Sequence, residues 1–194
     1  MKKYILRRDL SIEVNGITLY KIEYCANKSL GGYLESENNL SQGGECMVLE
    51  EAKVYGQAKI FGHAIVYGQA QVYGQAQIFD HAEVYGEAKI FGEAMIFGKA
   101  VIFDRAKIFD HAQVYGLAHV YGEAKVFGEA RIYDRAEVYG EAKILGRAHV
   151  YGLAHVYGEA KIFDYAQVYG QAKIFGHAQV YKQDLIFDRA EVSE

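Results

Sequence analysis

Residues 51–68 read EAKVYG-QAKIFG-HAIVYG, three successive copies of one six-residue pattern. The pattern extends without insertion or deletion from Glu45 to Glu194 as 25 hexads of the form x-Ala-x-(Val/Ile)-(Tyr/Phe)-(Gly/Asp). Ala fills the second slot in 23 hexads, and Val or Ile fills the fourth slot in all 25. A short fixed period of this kind predicts a repeat architecture.

Alternation inside the hexad predicts where each side chain points, because successive side chains of a strand face opposite sides of the sheet. The third slot is mostly Lys, Gln, Glu, Arg or His, so it faces water. Ala and Val/Ile on either side of it then face inward, and the aromatic in the fifth slot points outward. The sixth slot is Gly in 16 hexads and Asp in six, which predicts a corner, since both tolerate a positive φ.

The number of hexads in a coil follows from residues one coil apart, which stack about 4.8 Å from each other and share chemistry. At a period of three hexads, which stacks every eighteenth residue, one third-slot column reads Lys53, Gln71, Lys89, Lys107, Lys125, Lys143, Lys161 and Gln179. A period of four hexads mixes residue types in the same column. The sequence therefore predicts a triangular all-β solenoid with three hexads and three short strands per coil, and about eight coils between Glu45 and Glu194.

The run from Gln57 to Ala64, QAKIFGHA, resembles the hexapeptide repeat of left-handed β-helix proteins. The resemblance implies a single-stranded left-handed parallel β-helix; the hand comes from the resemblance alone, because ordinary crossovers are right-handed. The segment from Gly31 to Cys46 is similar to the lead-in of YdcK-type proteins, which carry a transferase label by analogy of fold.

Residues 1–44 are predicted to be an N-terminal β-hairpin cap and lead-in to the hexapeptide-repeat β-helix of residues 45–194. Asn15-Gly16 lies between two alternating apolar runs, the strongest short signal for a two-residue hairpin turn. A cap is needed because the first coil of a solenoid exposes apolar core and unpaired backbone.

The last hexads have no comparable cap sequence. They carry Lys182, Asp184, Asp188 and Glu191 instead, and charge at an exposed edge guards against end-to-end stacking. Docking of this end on a partner or a second copy is the alternative.

Composition excludes several classes of protein. The chain has 194 residues, 27 aromatics and a net charge of −4, which argue against a disordered chain and against a partner that is nucleic acid. No apolar run approaches the length that spans a bilayer, so no membrane partner is predicted. Two cysteines are too few for a disulfide scaffold, and we interpret the chain as an unprocessed cytoplasmic protein.

No catalytic residue, metal site or cofactor is predicted from the sequence. Acyltransferases of the hexapeptide-repeat superfamily break their coils with loops that build an active site between subunits, whereas these coils are unbroken. If the chain were an acyl-coenzyme A-dependent transferase, we would expect a cleft between subunits containing His149 or His155. That function is kept as an alternative.

Two polar columns have structural explanations. His119, Glu137 and His155 stack in one outward column, and a duplicated LAHVYG unit explains both histidines more simply than a zinc site does. The lysine column has a column of mostly acidic residues beside it, which predicts exposed ion pairs worth about 0–1 kcal/mol each and disfavours a phosphate-binding stripe.

The outward aromatics form three columns, and a monomer rarely exposes contiguous apolar area of that size. The sequence predicts a non-enzymatic structural or interaction solenoid that uses these columns, and a homo-oligomer in which a trimer is favoured by the resemblance. An aromatic platform for sugar rings, or another polymer or protein partner on the aromatic faces, is the rival role. The candidate interaction surface is the column Tyr67, Tyr85, Phe103, Tyr121, Tyr139, Tyr157 and Phe175.

Overall fold

The computed structural model describes residues 2–193. Three longer strands come first, β1 (Tyr4–Val14), β2 (Ile17–Tyr24) and β3 (Leu30–Leu34), followed by a single 3₁₀ turn at Glu37–Asn39. Strands of two or three residues then follow, one in each hexad. None of the described residues form a helix with the length and apolar character needed to cross a membrane.

The short strands are β4 (Met47–Val48), β5 (Lys53–Val54), β6 (Lys59–Ile60), β7 (Ile65–Val66), β8 (Gln71–Val72), β9 (Gln77–Ile78), β10 (Glu83–Val84), β11 (Lys89–Ile90), β12 (Met95–Ile96), β13 (Val101–Ile102), β14 (Lys107–Ile108), β15 (Gln113–Val114), β16 (His119–Val120), β17 (Lys125–Val126), β18 (Arg131–Ile132), β19 (Glu137–Val138), β20 (Lys143–Ile144), β21 (His149–Val150), β22 (His155–Val156), β23 (Lys161–Ile162), β24 (Gln167–Val168), β25 (Lys173–Phe175), β26 (Gln179–Val180), β27 (Leu185–Ile186) and β28 (Glu191–Ser193).

Each short strand pairs in parallel with the strand one coil further on, as in the register partners Lys89 and Lys107, which are three hexads apart. Three sheets result, and we name their outer surfaces. The lysine face is the sheet of β1, β2, β3 and every third strand from β5 to β26; the mixed face runs from β6 to β27; the apolar face runs from β4 to β28. The structure confirms the all-β parallel solenoid with three hexads per coil.

The core contains the two inward slots and nothing else along most of the solenoid. Every second-slot Ala from Ala52 to Ala178 is fully buried, and every fourth-slot Val or Ile from Val48 to Val180 is at most 2% exposed. Burial of each Val or Ile contributes about 1.5–3 kcal/mol before conformational entropy is counted. The predicted inward and outward directions are confirmed.

The sixth slot forms the corners, as predicted. Every sixth-slot residue from Glu50 to Asp188 has a positive φ. A Cβ added at Gly92 would lie 2.8 Å from the backbone nitrogen of Asp110 in the next coil, so a side chain at this corner would crowd that coil. Where Asp occupies the corner, its carboxylate accepts a backbone hydrogen bond from the next coil, as from the Gly122 N–H to Asp104 at 3.2 Å.

Parallel pairing begins before the first hexad. Strand β3 pairs with β5 through Tyr33 and Lys53, and Leu40 forms a parallel bridge with Ile60. In both pairs the partners are further apart in sequence than partners within the repeats. The solenoid therefore has about nine turns, one more than the hexads alone predict. The hand of the coil remains what the resemblance implies.

The N-terminal hairpin is confirmed. Asn15 and Gly16 have φ values of 52° and 78°, the two positive values that a type I′ turn requires. The Tyr24 hydroxyl accepts the Val48 N–H at 2.9 Å and donates to the Val48 carbonyl at 3.1 Å. This side chain therefore takes the place of a neighbouring strand at the start of the apolar face.

Candidate interaction surface

The structure brings all seven predicted aromatics together in one column along the apolar face. Successive ring centroids are 4.7–5.2 Å apart, and successive rings are within 14° of parallel. The spacing equals that of the strands beneath. Pairs of this kind contribute about 0.5–1.5 kcal/mol each beyond the area they bury.

The stacking turns the ring faces toward one another along the column. Each of the seven side chains is half-buried, and its outer edge meets solvent. The Tyr121 hydroxyl donates to the Glu137 carboxylate at 3.3 Å. Burial, and next the Glu137 charge, raise the pKa of Tyr121 to about 12.

Outward apolar residues lie beside the column on this face, as Met95 and Leu185 do on the mixed face. The third slot of the apolar face carries Met47, Ile65 and Val101, each partly exposed. Its first slot carries Leu117 and Leu153, each 43% exposed. The sequence analysis did not single out these five residues. The alternation already assigned their slots to water, and it could therefore have predicted that these apolar side chains are exposed.

The lysine face has the opposite character. Its third-slot column stacks lysines on lysines, as Lys107 pairs in register with Lys125. Arg105 lies 3.5 Å from Glu87 and 3.2 Å from Glu123. Within residues 2–193, no ion pair shorter than 4.0 Å includes a lysine of this column. The predicted Lys–Glu pairing is therefore replaced by an arginine that bridges two acids of its own column.

The histidines singled out in the sequence do not converge. His155 Nδ1 lies 3.7 Å from Glu137 on the apolar face, whereas His149 lies on the mixed face with its ring edge-on to Tyr133. Burial and the Arg131 charge lower the pKa of His149. The described chain, residues 2–193, holds no group of three His, Cys, Asp or Glu side chains able to bind a metal ion.

A scan against protein-family models gives no match, and a search of curated protein sequences gives none either. The functional interpretation therefore depends on the chemistry of the three faces.

Proposed function

We propose that this chain is a non-enzymatic structural module that associates with copies of itself, side by side, through the apolar face. The observation that carries the proposal is the position of Leu117 and Leu153, each 43% exposed, on the same sheet as the seven stacked aromatics. Exposed leucines beside a contiguous aromatic column are typical of a surface that becomes buried against a partner.

Charge supports a second copy as that partner. In two hexads of the apolar face the first and third slots are oppositely charged, Arg135 with Glu137 and Arg189 with Glu191. When two copies lie parallel with equal coils at equal height, the first slot of one faces the third slot of the other. Around a three-fold axis each Arg then meets a Glu of the next copy, and the same heterologous contact repeats until the ring closes.

The arrangement of levels along the face also favours a single register. The Arg135 level lies between the levels of Leu117 and Leu153. A shift by one coil in either direction would place Leu153 against a charged side chain, Glu137 or Lys173, and leave each Arg without its Glu. Such mismatches disfavour other registers.

Three copies around one axis is the number that we propose, following the resemblance to hexapeptide-repeat proteins. A closed symmetric ring limits growth of the assembly, because each apolar face is used once. We place the protein in the cytoplasm, where free thiols such as Cys25 and Cys46 persist.

The two other roles have less support. An acyl-coenzyme A-dependent transferase rests on the resemblance alone, since the hexads from Glu45 to Glu194 leave no room for an inserted loop. A platform for sugar rings needs exposed aromatic faces, and here neighbouring rings cover those faces. Neither role accounts for the exposed leucines.

The experiment is light scattering behind size exclusion over a concentration series, with two double variants. Leu117→Glu with Leu153→Glu adds two carboxylates to the first slot of the apolar face. Gln57→Glu with Gln75→Glu adds the same two charges to the first slot of the mixed face. Unchanged circular dichroism checks that both variants fold.

We expect a trimer for the wild-type chain and for the Gln variant, and a monomer for the Leu variant. A wild-type monomer at every concentration contradicts self-association. Equal behaviour of the two double variants contradicts the assignment to the apolar face.

A further inference from the structure

A cavity of about 620 Å³ lies where the cap overhangs the first coils of the apolar face. We call it the cap notch. Its volume is within the range of about 300–1,000 Å³ that is typical of small-molecule sites. All of its lining residues belong to one chain, and two of them, Met47 and Ile65, also lie on the apolar face.

The floor and one side of the cap notch are apolar. Met47 and Ile65 form the floor as in-register partners of β4 and β7. Ala26 and Tyr24 belong to the cap. Since both hydrogen-bonding roles of the Tyr24 hydroxyl are taken by Val48, this side chain offers mainly apolar surface to the notch.

A fixed ammonium group lies at the rim. Lys3 Nζ donates to the Cys46 carbonyl at 2.9 Å and contacts Cys46 Sγ at 3.1 Å. These contacts use two of the three N–H groups of an ammonium. The third N–H is the one left to meet a ligand, and the side chain is already held in place.

The other polar groups at the rim are mainly donors. Asn27 Oδ1 accepts two hydrogen bonds from Ser29, so its NH₂ group is the part left to meet a ligand. His63 and His81 stack with ring centroids 4.6 Å apart, and neutral imidazole carries one donor. Glu45 is the single carboxylate in the lining.

We propose that the cap notch binds a small amphipathic carboxylate. Its apolar body lies on Met47 and Ile65, and its carboxylate accepts hydrogen bonds from Lys3 and Asn27 at the rim. Hydrogen bonds between charged partners are shorter and stronger than neutral ones, so the negative charge of the ligand is part of the recognition.

The test is methyl NMR of the full chain with indole-3-acetate and, separately, octanoate as probes. Met47 reports on the notch floor. Met95 is the internal control, because it occupies the same third slot on the mixed face. We expect a saturable shift of the Met47 methyl signal with at least one probe and no shift of Met95. Indole-3-acetamide, the neutral analogue, should bind about tenfold more weakly than indole-3-acetate.

Two pairs of variants locate the site. Lys3→Met keeps an apolar stem and should weaken binding about tenfold, whereas Lys2→Met, which removes the exposed pair with Glu37, should not. Ile65→Glu puts a carboxylate in the floor and should abolish binding. Gln77→Glu, which adds the same charge to the third slot of the mixed face, should leave binding intact.

The proposal is overturned if the Met47 methyl signal does not shift with either about 10 mM indole-3-acetate or about 10 mM octanoate, since that concentration exceeds even weak dissociation constants. Equal affinity for the acid and the amide, or equal loss in a variant and its control, overturns recognition of the carboxylate at this place.

Discussion

The lysine face and the apolar face have the same interior and opposite exteriors. At one level of the solenoid Ile108 lies beneath the lysine face and Ile102 beneath the apolar face, and both are fully buried. Outside, Lys107 and Val101 occupy the equivalent third slot. The core of this fold therefore places almost no constraint on the outward slots.

The same backbone spacing has opposite consequences for lysine columns and for aromatic columns, and the lysine face carries one of each. Stacked lysines at strand spacing repel one another, so the lysine face is best left in water. Stacked aromatics at the same spacing attract, and their exposed edges gain further when water is excluded. This asymmetry is what the proposed association through the apolar face depends on.

The largest expected effect tests whether the core is the same beneath the two faces. Ile102→Ala and Ile108→Ala each leave a cavity in the same stack, and each should lower the free energy of unfolding by about 2–5 kcal/mol. Urea unfolding of the two variants measures this decrease in the free energy of unfolding. A difference between them larger than about 1 kcal/mol would show that the two sheets are not equivalent supports.

Removal of one ring from each face tests the exteriors. Tyr139→Ser and Phe109→Ser each lose two stacked contacts, at 4.9 Å for Tyr139 and 4.8 Å for Phe109. Each should cost about 1–3 kcal/mol in unfolding experiments. Only Tyr139→Ser should also weaken self-association in light scattering, and weakening by both variants would break the comparison.

Alkaline pH tests the tyrosines of the aromatic columns. The folded pKa of Tyr121 is about 12 because of burial and the Glu137 carboxylate, against about 10 for an unfolded tyrosine. The folded state therefore keeps the proton longer. The associated stability is complete below about pH 10 and is lost as the pH rises toward 12. On the lysine face burial also raises the pKa values of Tyr55 and Tyr73, whereas Phe109 and Phe127 of the same column do not titrate.

The measurement is urea unfolding at about pH 9 and pH 11. Tyr121→Phe should reduce the loss of stability between the two values by about 1 kcal/mol after solvent screening. Phe127→Tyr should increase the loss. An unchanged profile in both variants would exclude the aromatic columns as the source of alkaline sensitivity.

The smallest effect concerns the surface charges of the lysine face. Arg105→Gln removes both exposed contacts with Glu87 and Glu123 and should change the free energy of unfolding by less than about 1 kcal/mol. The difference should shrink further at about 1 M salt. A large loss in thermal unfolding would mean that the face depends on this bridge.

Local sequence was sufficient to predict the structure wherever one hexad repeats another. The hairpin at Asn15-Gly16 and the stacked column from Tyr67 to Phe175 follow from residue type and spacing alone. The first turn, by contrast, was not predictable. A Cβ at Gly31 would lie 2.5 Å from the Val48 carbonyl oxygen, and one at Gly32 would lie 2.5 Å from that of Ala52. The need for glycine at these two positions becomes evident only when the position of the next coil is known.

The sequence by itself determined the period, the inward and outward slots and the corners, because each depends on alternation and φ preferences within one hexad. Only the tertiary structure decided that ring faces cover one another, that Arg105 bridges Glu87 and Glu123, and that the cap closes over Met47 and Ile65. Each of these contacts joins residues of different coils, or the cap to a coil. Their geometry depends on how coils stack and how the cap docks, which no local pattern specifies.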